Sequence, residues 1–508
     1  MSTSSLRFVT LRTTFGNQEL RKVIETAAQT RNTILKLFDR PQMQEEFGRW
    51  TKAEDLASIV KKEIIVVGRR RYVPASEYCA SVRDGTHDSP KPTEKGRKLV
   101  TSKHLTTGNL DLSNAYLISE EDFENINKRS SVDTWDVLIS MIGTVGVPCL
   151  IKEETDFAIK NLGLFKTKGE IDGRWLYYYL RSSEAQESIR EQSRGSTQQY
   201  IPLASLRDLP VLVPHDREEQ RAIVHILSTL DDKIELHRQM NKTLEDMARA
   251  LFKSWFVDFD PVRAKAALRT PPADGSQWTV ARAGAYLERM ANSVADLFPD
   301  QLVDSELGEI PEGWSVGMLG DMLQQRVERC SVSRETESLP YVPIDCISPK
   351  SLFLTESKPG TEAKSSLTKF HADDLIFGAM RPYFHKVCIA PFDGTTRTTA
   401  FVLYPKRSKN LAFATLLLHD SKTIDFATRN STGSTIPYAV WTDSLEAMPI
   451  VSPPPSVLTA FDDAMRPFLL HIPKSFFESR TLGVTRDALL SKLVSGDLRL
   501  DLLHGEHT

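Results

Sequence analysis

Cysteine is scarce in this chain. Its five copies, Cys79, Cys149, Cys330, Cys346 and Cys388, are scattered, odd in number and form no C-x-x-C pair. That disfavours a disulfide framework and a cysteine-rich zinc site, and it fits a reducing cytoplasm. Long apolar runs are missing as well. The longest, around 411–418, is far shorter than the roughly 18 residues a membrane helix needs, and it reads as core. The opening MSTSSLRFVTLRTTF has no apolar stretch of signal-peptide length, so export is not expected. Neither charge sign dominates: 64 basic and 67 acidic residues leave a net charge of −3. A polycation that coats nucleic acid is disfavoured, whereas local basic patches are not. No G-x-x-x-x-G-K-[ST] loop is present, so ATP hydrolysis by this chain is not expected. The Asn/Asp-Pro-Pro-aromatic motif of amino-methyltransferases is also missing, since Ser452-Pro453-Pro454-Pro455 lacks both the amide or acid and the aromatic.

What remains is an ordinary soluble composition, 40% hydrophobic and 26% charged over 508 residues. At roughly 100–200 residues per domain, that length suggests three or four domains. The chain also repeats itself. WLYYYLRSSEAQESIREQSRGST (175–197) aligns with FATLLLHDSKTIDFATRNSTGST (413–435), an offset of 238 residues. Leu180, Ser183 and Ser193 match Leu418, Ser421 and Ser431, and the Gly-Ser-Thr at 195–197 matches that at 433–435. DVLISMIG (136–143) aligns with DLIFGAMR (374–381) at the same offset. Downstream, after small shifts, Ile201-Pro202 pairs with Ile436-Pro437, and Leu209-Pro210-Val211 with Met448-Pro449-Ile450. DVLISMIG and FVLYP read as short buried strands, and WLYYYLRSSEAQESIREQ as one helix ending near Gly195. Each copy is therefore expected to be a compact α/β module of about 140 residues.

Long helical stretches follow each copy. In 216–256, Asp216 is a plausible N-cap. Ile223, Leu227, Leu230, Ile234, His237, Asn241, Leu244, Ala248, Leu251 and Trp255 form a heptad seam. It is polar at its centre, where His237 reads as a hydrogen-bonded packing residue rather than a metal ligand. In 456–493, Phe461, Met465, Phe468, Ile472, Leu482, Leu489 and Leu493 share one side, and Pro467 and Pro473 predict a kink or break. Such seams can pair antiparallel.

Several stretches together resemble a type I restriction-modification specificity subunit. They are DGTHDSP (84–90), WDVLISMIGTVG (135–146), GSTQQYIPLASLRDLPVLVP (195–214), the helix running into FVDFDPVRAKA, LGEIPEGW (307–314) and RDALLSKLVSGDLRL (486–500). The resemblance covers about residues 72–503. It implies two α/β target recognition domains in pseudo-repeat, joined by two long antiparallel coiled-coil helices that set the spacing of a bipartite DNA site. The expected partition is an unassigned extension at 1–71, target recognition domain 1 at 72–215, a spacer helix at 216–258 and a linker at 259–306. Target recognition domain 2 then spans 307–455, and a second spacer helix with a tail spans 456–508. The implied partners are double-stranded DNA, two methyltransferase subunits and restriction/translocase subunits, acting in phage defence. S-adenosylmethionine, ATP and Mg2+ would sit on those partners, with no cofactor or metal on this chain and no membrane. Residues 1–71, Pro473, and Ser491 where a proline is common depart from the family pattern.

The residue chemistry supplies contact candidates. Lys91, Lys95, Lys98 and Lys103, with Arg97, read as an exposed basic loop suited to phosphates. Arg190, Arg194, Gln198 and Gln199, with Gln192, suit base-edge readout. The second copy offers Arg381, Tyr383, Arg397, Arg429, Ser434 and Thr435, with His385 and Asn430 nearby. Partner-binding positions are expected on the seams. Two other readings stand beside this one: a self-contained nuclease using Asp345, Glu356 and Lys358 in D…E-x-K spacing, and a coiled-coil scaffold without DNA specificity. Asp84 and His87 read as an Asp-Gly turn rather than an acid–base pair.

Overall fold

The computed structural model describes residues 70–498 except 107, 197, 271–277, 365 and 434. The unassigned extension at 1–71 therefore lies outside the described residues, apart from its last two positions, Arg70 and Arg71. The chain divides into two compact units. Among the described residues, the first contains 70–234 and 481–498, and the second contains 235–480. Among the described residues, no helix is long and apolar enough to cross a membrane.

Each unit is mixed helix and sheet, and the two share a plan. In the first, an antiparallel four-stranded sheet has the order Ser81–Asp84, Leu162–Lys166, Val137–Ser140, Pro148–Leu150. In the second, the order is Leu323–Arg326, Ala400–Pro405, Leu375–Gly378, Val387–Ile389. Val137–Ser140 and Leu375–Gly378 are buried at every position, which is why they read as unbroken apolar runs. A second sheet in each unit contains a parallel pair, Arg97–Val100 with Phe157–Ile159 and Tyr341–Val342 with Gly394–Arg397. The aspartate heading each repeated strand does the same structural work in both copies. Asp136 accepts from the Asp133 N–H at 2.7 Å, and Asp374 from the His371 N–H at 2.7 Å. Lys166 pairs with Asp136 at 2.7 Å, and Arg326 with Asp374 at 2.7 Å.

The stretch expected to be one helix is two, Glu170–Leu180 and Ser183–Gln192. The Ser182 hydroxyl accepts from the Ala185 N–H at 3.2 Å, so it caps a new helix instead of continuing the old one. The second unit breaks at the same place, between Leu411–Leu418 and Ser421–Arg429, with the Asp420 side chain as cap. Leu411–Leu418 is almost wholly buried, as its apolar run predicts.

The first long helix spans Arg217–Phe252, started by Asp216 accepting from the Glu218 N–H at 2.9 Å. The second spans Pro455–Ser495 without interruption, so the break expected at Pro467 and Pro473 does not occur. A proline removes one N–H, but the residues around these two are held by packing: Met465 and Ile472 are buried, and the Ser475 hydroxyl bonds Asn241. Within the first unit, Ile223, Leu227 and Leu230 share a core with Leu482, Leu489, Leu490 and Leu493, and Ile234 packs against it. Asp231 there meets Arg486 at 2.5 Å and accepts from the Tyr178 hydroxyl at 2.9 Å. Within the second unit, Phe461, Met465 and Ile472 join Ala248, Phe252 and Trp255, with Leu244 and Leu251 against them. His237 is buried and bonds the Ser479 hydroxyl at 3.1 Å, the packing role read from its seam position. Within the second unit the partners run from Ser479 at His237 through Ser475 at Asn241 to Phe461 at Phe252, so the two helix segments there pack antiparallel.

The segment 259–306 is more than a linker. Helices Asp260–Arg269 and Val280–Arg289 pack through Ala264, Ala267, Trp278 and Ala283, and Lys265 donates to the Phe298 carbonyl at 2.7 Å. LGEIPEGW supplies the second strand of a hairpin, Leu302–Ser305 with Gly308–Pro311.

Candidate nucleic-acid interface

The repeated sequence converges on one local construction, made twice. In the first unit, strand Val137–Ser140 leads into a turn at 143–146, and helix Ser183–Gln192 leads into a hairpin at 194–200. Arg194 and Tyr200 exchange backbone hydrogen bonds of 2.8 Å each way. The Gly143 N–H donates to the Gln199 carbonyl at 3.0 Å, and the Ile201 N–H to the Met141 carbonyl at 2.9 Å. In the second unit, Thr432 and Tyr438 exchange bonds of 2.9 and 2.8 Å. The Arg381 N–H donates to the Pro437 carbonyl at 2.8 Å, and the Ala439 N–H to the Ala379 carbonyl at 2.9 Å. Every one of these pairs differs by 238 residues. The offset therefore continues unshifted through the hairpin, and Tyr200 matches Tyr438. The expected pairing of Ile201-Pro202 with Ile436-Pro437 is corrected: Ile436 and Pro437 stand where Gln198 and Gln199 do. The missed signal was the tyrosine itself, already aligned at that offset.

The glycine of each Gly-Ser-Thr has a geometric cause. Gly195 sits at φ 94° and Gly433 at φ 88°. A Cβ there would lie 2.3 Å from the Gln198 carbonyl oxygen or 2.7 Å from that of Ile436. Only glycine tolerates both the left-handed backbone and the close approach.

Arg190 lies in the last turn of its helix, and Arg194, Gln198 and Gln199 lie on the hairpin; all four are exposed. Arg429 ends the corresponding helix of the second unit and Thr435 lies on its hairpin; both are exposed, while Ser434 lies outside the described residues. Arg381 and Tyr383 belong to the turn beside that hairpin. Arg397 ends strand Gly394–Arg397, and the Tyr438 hydroxyl donates to the Thr398 carbonyl next to it. Burial raises the Tyr438 hydroxyl pKa, and Arg397 acts against that rise. Sequence reasoning passed over Phe384, which is 47% exposed in the same turn, because no counterpart in the first copy marks it.

The basic stretch does not form one loop. Lys91 and Lys95 are exposed, and Lys103 lies in a short turn at Ser102–His104. Lys98 and Arg97, however, sit on strand Arg97–Val100, the middle strand of a separate three-stranded sheet. Alternating Lys-Leu there puts Leu99 in the core and leaves Lys98 half-buried. Asp84 ends a strand, and His87 bonds it at 3.0 Å and Asn161 at 2.8 Å, so His87 is held by two polar neighbours. Asp345 and Glu356 are exposed and Lys358 faces Glu362 at 3.7 Å. No group of three metal-ligating side chains occurs among the described residues.

Fold and site together define a pseudo-duplicated chain that presents two equivalent turn-and-hairpin surfaces with different side chains. A family model described as a type I restriction modification DNA specificity domain matches residues 90–246. The HindI specificity subunit of Haemophilus influenzae is 25% identical over 355 residues, covering 64% of this chain and 77% of that one. The MjaIX specificity subunit of Methanocaldococcus jannaschii is 27% identical over 350 residues, covering 66% and 71%. In fold, the chain is similar to the type I system S subunit from M. genitalium, with a TM-score of 0.51 at 14% identity, covering 85% of this chain and 97% of that one. The chain is thus similar to specificity subunits of type I restriction-modification systems, and their DNA specificity domain is matched at residues 90–246.

Proposed function

We propose that the chain reads a bipartite DNA site, one half with each module, and scaffolds the methyltransferase subunits that modify it. The observation that carries this reading is the duplicated turn and hairpin, tied to each other by the same backbone bonds in both units yet different in exposed side chains. A duplicated frame with divergent side chains is what two half-sites of different sequence require. Arg190, Arg194, Gln198 and Gln199 would contact the first half-site, and Arg381, Tyr383, Arg397, Arg429, Ser434 and Thr435 the second. Lys91, Lys95, Lys98 and Lys103 would contact phosphates.

The two long helices serve in this reading as the ruler between half-sites and as the seat of two methyltransferase subunits, to which restriction/translocase subunits add. Chemistry then belongs to the partners: S-adenosylmethionine, ATP and Mg2+ act there, and this chain contributes recognition in the cytoplasm. Neither the nuclease nor the scaffold reading finds support among the relatives, which are named specificity subunits. The test is methylation mapping. The chain is co-expressed with its methyltransferase, and modified bases are read across the host genome. One bipartite motif with a fixed gap is expected. Modification without a bipartite motif, or none despite a stable complex, overturns the proposal.

A further inference from the structure

The two turns differ in one respect that the repeat does not explain. In the first unit the turn is Gly143-Thr144-Val145-Gly146, with glycine at both left-handed positions, φ 80° and 91°. In the second it is one residue longer, Arg381-Pro382-Tyr383-Phe384-His385, as the flanking bonds Ser140 N–H to Val147 and Gly378 N–H to Lys386 show. Here Arg381 and His385 hold the left-handed positions at φ 54° and 55°. Non-glycine residues are strained there, and such strain persists only where the surroundings fix it. The fixing bonds are present. The Phe384 N–H donates to the Arg381 carbonyl at 3.0 Å, the His385 N–H to the Pro382 carbonyl at 2.8 Å, and the Lys350 N–H to the His385 carbonyl at 2.9 Å. Pro382 is buried, and the His385 ring packs 5.3 Å from that of His419.

This rigid turn pushes two aromatic rings outward. Tyr383 is 50% and Phe384 47% exposed, with ring centroids 4.9 Å apart, and the Arg381 guanidinium lies 6.0 Å from the Phe384 ring. Two exposed rings side by side form a contiguous apolar patch, the kind of surface that marks an interaction site. Their setting names it: Arg381 in the same turn, Arg429 on the helix packed against it, and the hairpin bonded to Arg381. Rings and guanidinium groups interleaved in this way suit base faces flanked by phosphates.

Resting on the recognition reading above, we infer that Tyr383 and Phe384 form a wedge that stacks against one partly unstacked base step in the half-site of the second module. The corresponding turn of the first module, with Thr144 and Val145 at its tip, carries no aromatic ring. Recognition by the second module thus includes how easily that step deforms, so flexible pyrimidine–purine steps are favoured there.

The test uses the complex with its methyltransferase and duplexes carrying the mapped site, with 2-aminopurine placed at successive positions of each half-site. The wild-type complex is expected to raise fluorescence at one step of the second half-site only. With Tyr383→Ala/Phe384→Ala that rise disappears and affinity falls ten- to a hundredfold. A mismatch at that step restores most of the affinity, and Tyr383→Phe retains both signals. Unchanged fluorescence with affinity within twofold of wild type overturns the wedge and leaves the recognition reading intact. A variant that no longer assembles with the methyltransferase also overturns it, because the pair then docks protein. A wild-type complex that binds no site overturns the recognition reading together with the wedge.

Discussion

At the scale of single residues, glycine and histidine carry the clearest consequences. Gly195 and Gly433 close the two hairpins from left-handed conformations against a carbonyl oxygen. Gly195→Val should cost about 1–3 kcal/mol locally and weaken DNA binding by the complex at least tenfold, read by a titration with the cognate duplex. If the variant binds normally, the first hairpin is not part of the interface. In the second unit His419 is buried, and among the described residues neither ring nitrogen has a hydrogen-bond partner. Burial first, then His385 and Arg249, lower its pKa to about 3, while His385 is lowered by burial, Lys350 and Arg249 and partly restored by the His419 backbone and then by Asp420. The unfolded chain therefore binds these protons at a higher pH than the folded one does. Stability from these neutral rings is complete above an ordinary histidine pKa of about 6.5 and is lost as pH falls below it, by up to about 1.4 kcal/mol per pH unit for each ring. Urea melts at pH 7 and pH 5 should show His419→Leu losing less stability than wild type over that interval. Equal losses would place the pH sensitivity elsewhere.

At the scale of elements, helix starts, strand cores and the seam were legible because each depends on neighbours a few residues away. Asp216 caps its helix, Val137–Ser140 is buried throughout, and every predicted seam position from Ile223 to Trp255 is buried or half-buried. The split at Arg181–Ser182 and the uninterrupted Pro455–Ser495 were not legible. A capping serine competes with helix continuation, and a proline can be outweighed by packing on either side, so both outcomes depend on tertiary contacts. The helix pair offers two tests. Leu230 is 2% exposed, so Leu230→Asp should destabilise the first unit by about 3 kcal/mol or more and abolish assembly with the methyltransferase. Asp231→Ala leaves Arg486, 2.5 Å away, and Arg181, 3.7 Å away, without this carboxylate. Its expected cost is about 1.5–3 kcal/mol, the loss of charge-assisted hydrogen bonds, because Asp487 still meets Arg486 at 2.7 Å and Arg181 at 3.4 Å. Thermal unfolding that matches wild type in either variant would refute the pairing.

At the scale of the whole molecule, each unit owns a buried core and its own copy of the turn and hairpin. Exchanging residues 72–215 for the corresponding segment of another specificity subunit should therefore change one half of the methylated motif and leave the other and the gap as they were. A change in both halves would mean that the modules do not read independently. The amino-acid sequence by itself determined the duplication, its offset, the strand and helix types and the long seams, because periodicity, capping and turn chemistry act over short distances. Only the tertiary structure decided that turn and hairpin are bonded together, and that Lys98 belongs to a sheet. It also decided that Tyr383 and Phe384 stand outward on a strained frame. Those outcomes depend on hydrogen bonds and packing between segments some 60 residues apart, and no local pattern in the chain encodes such contacts.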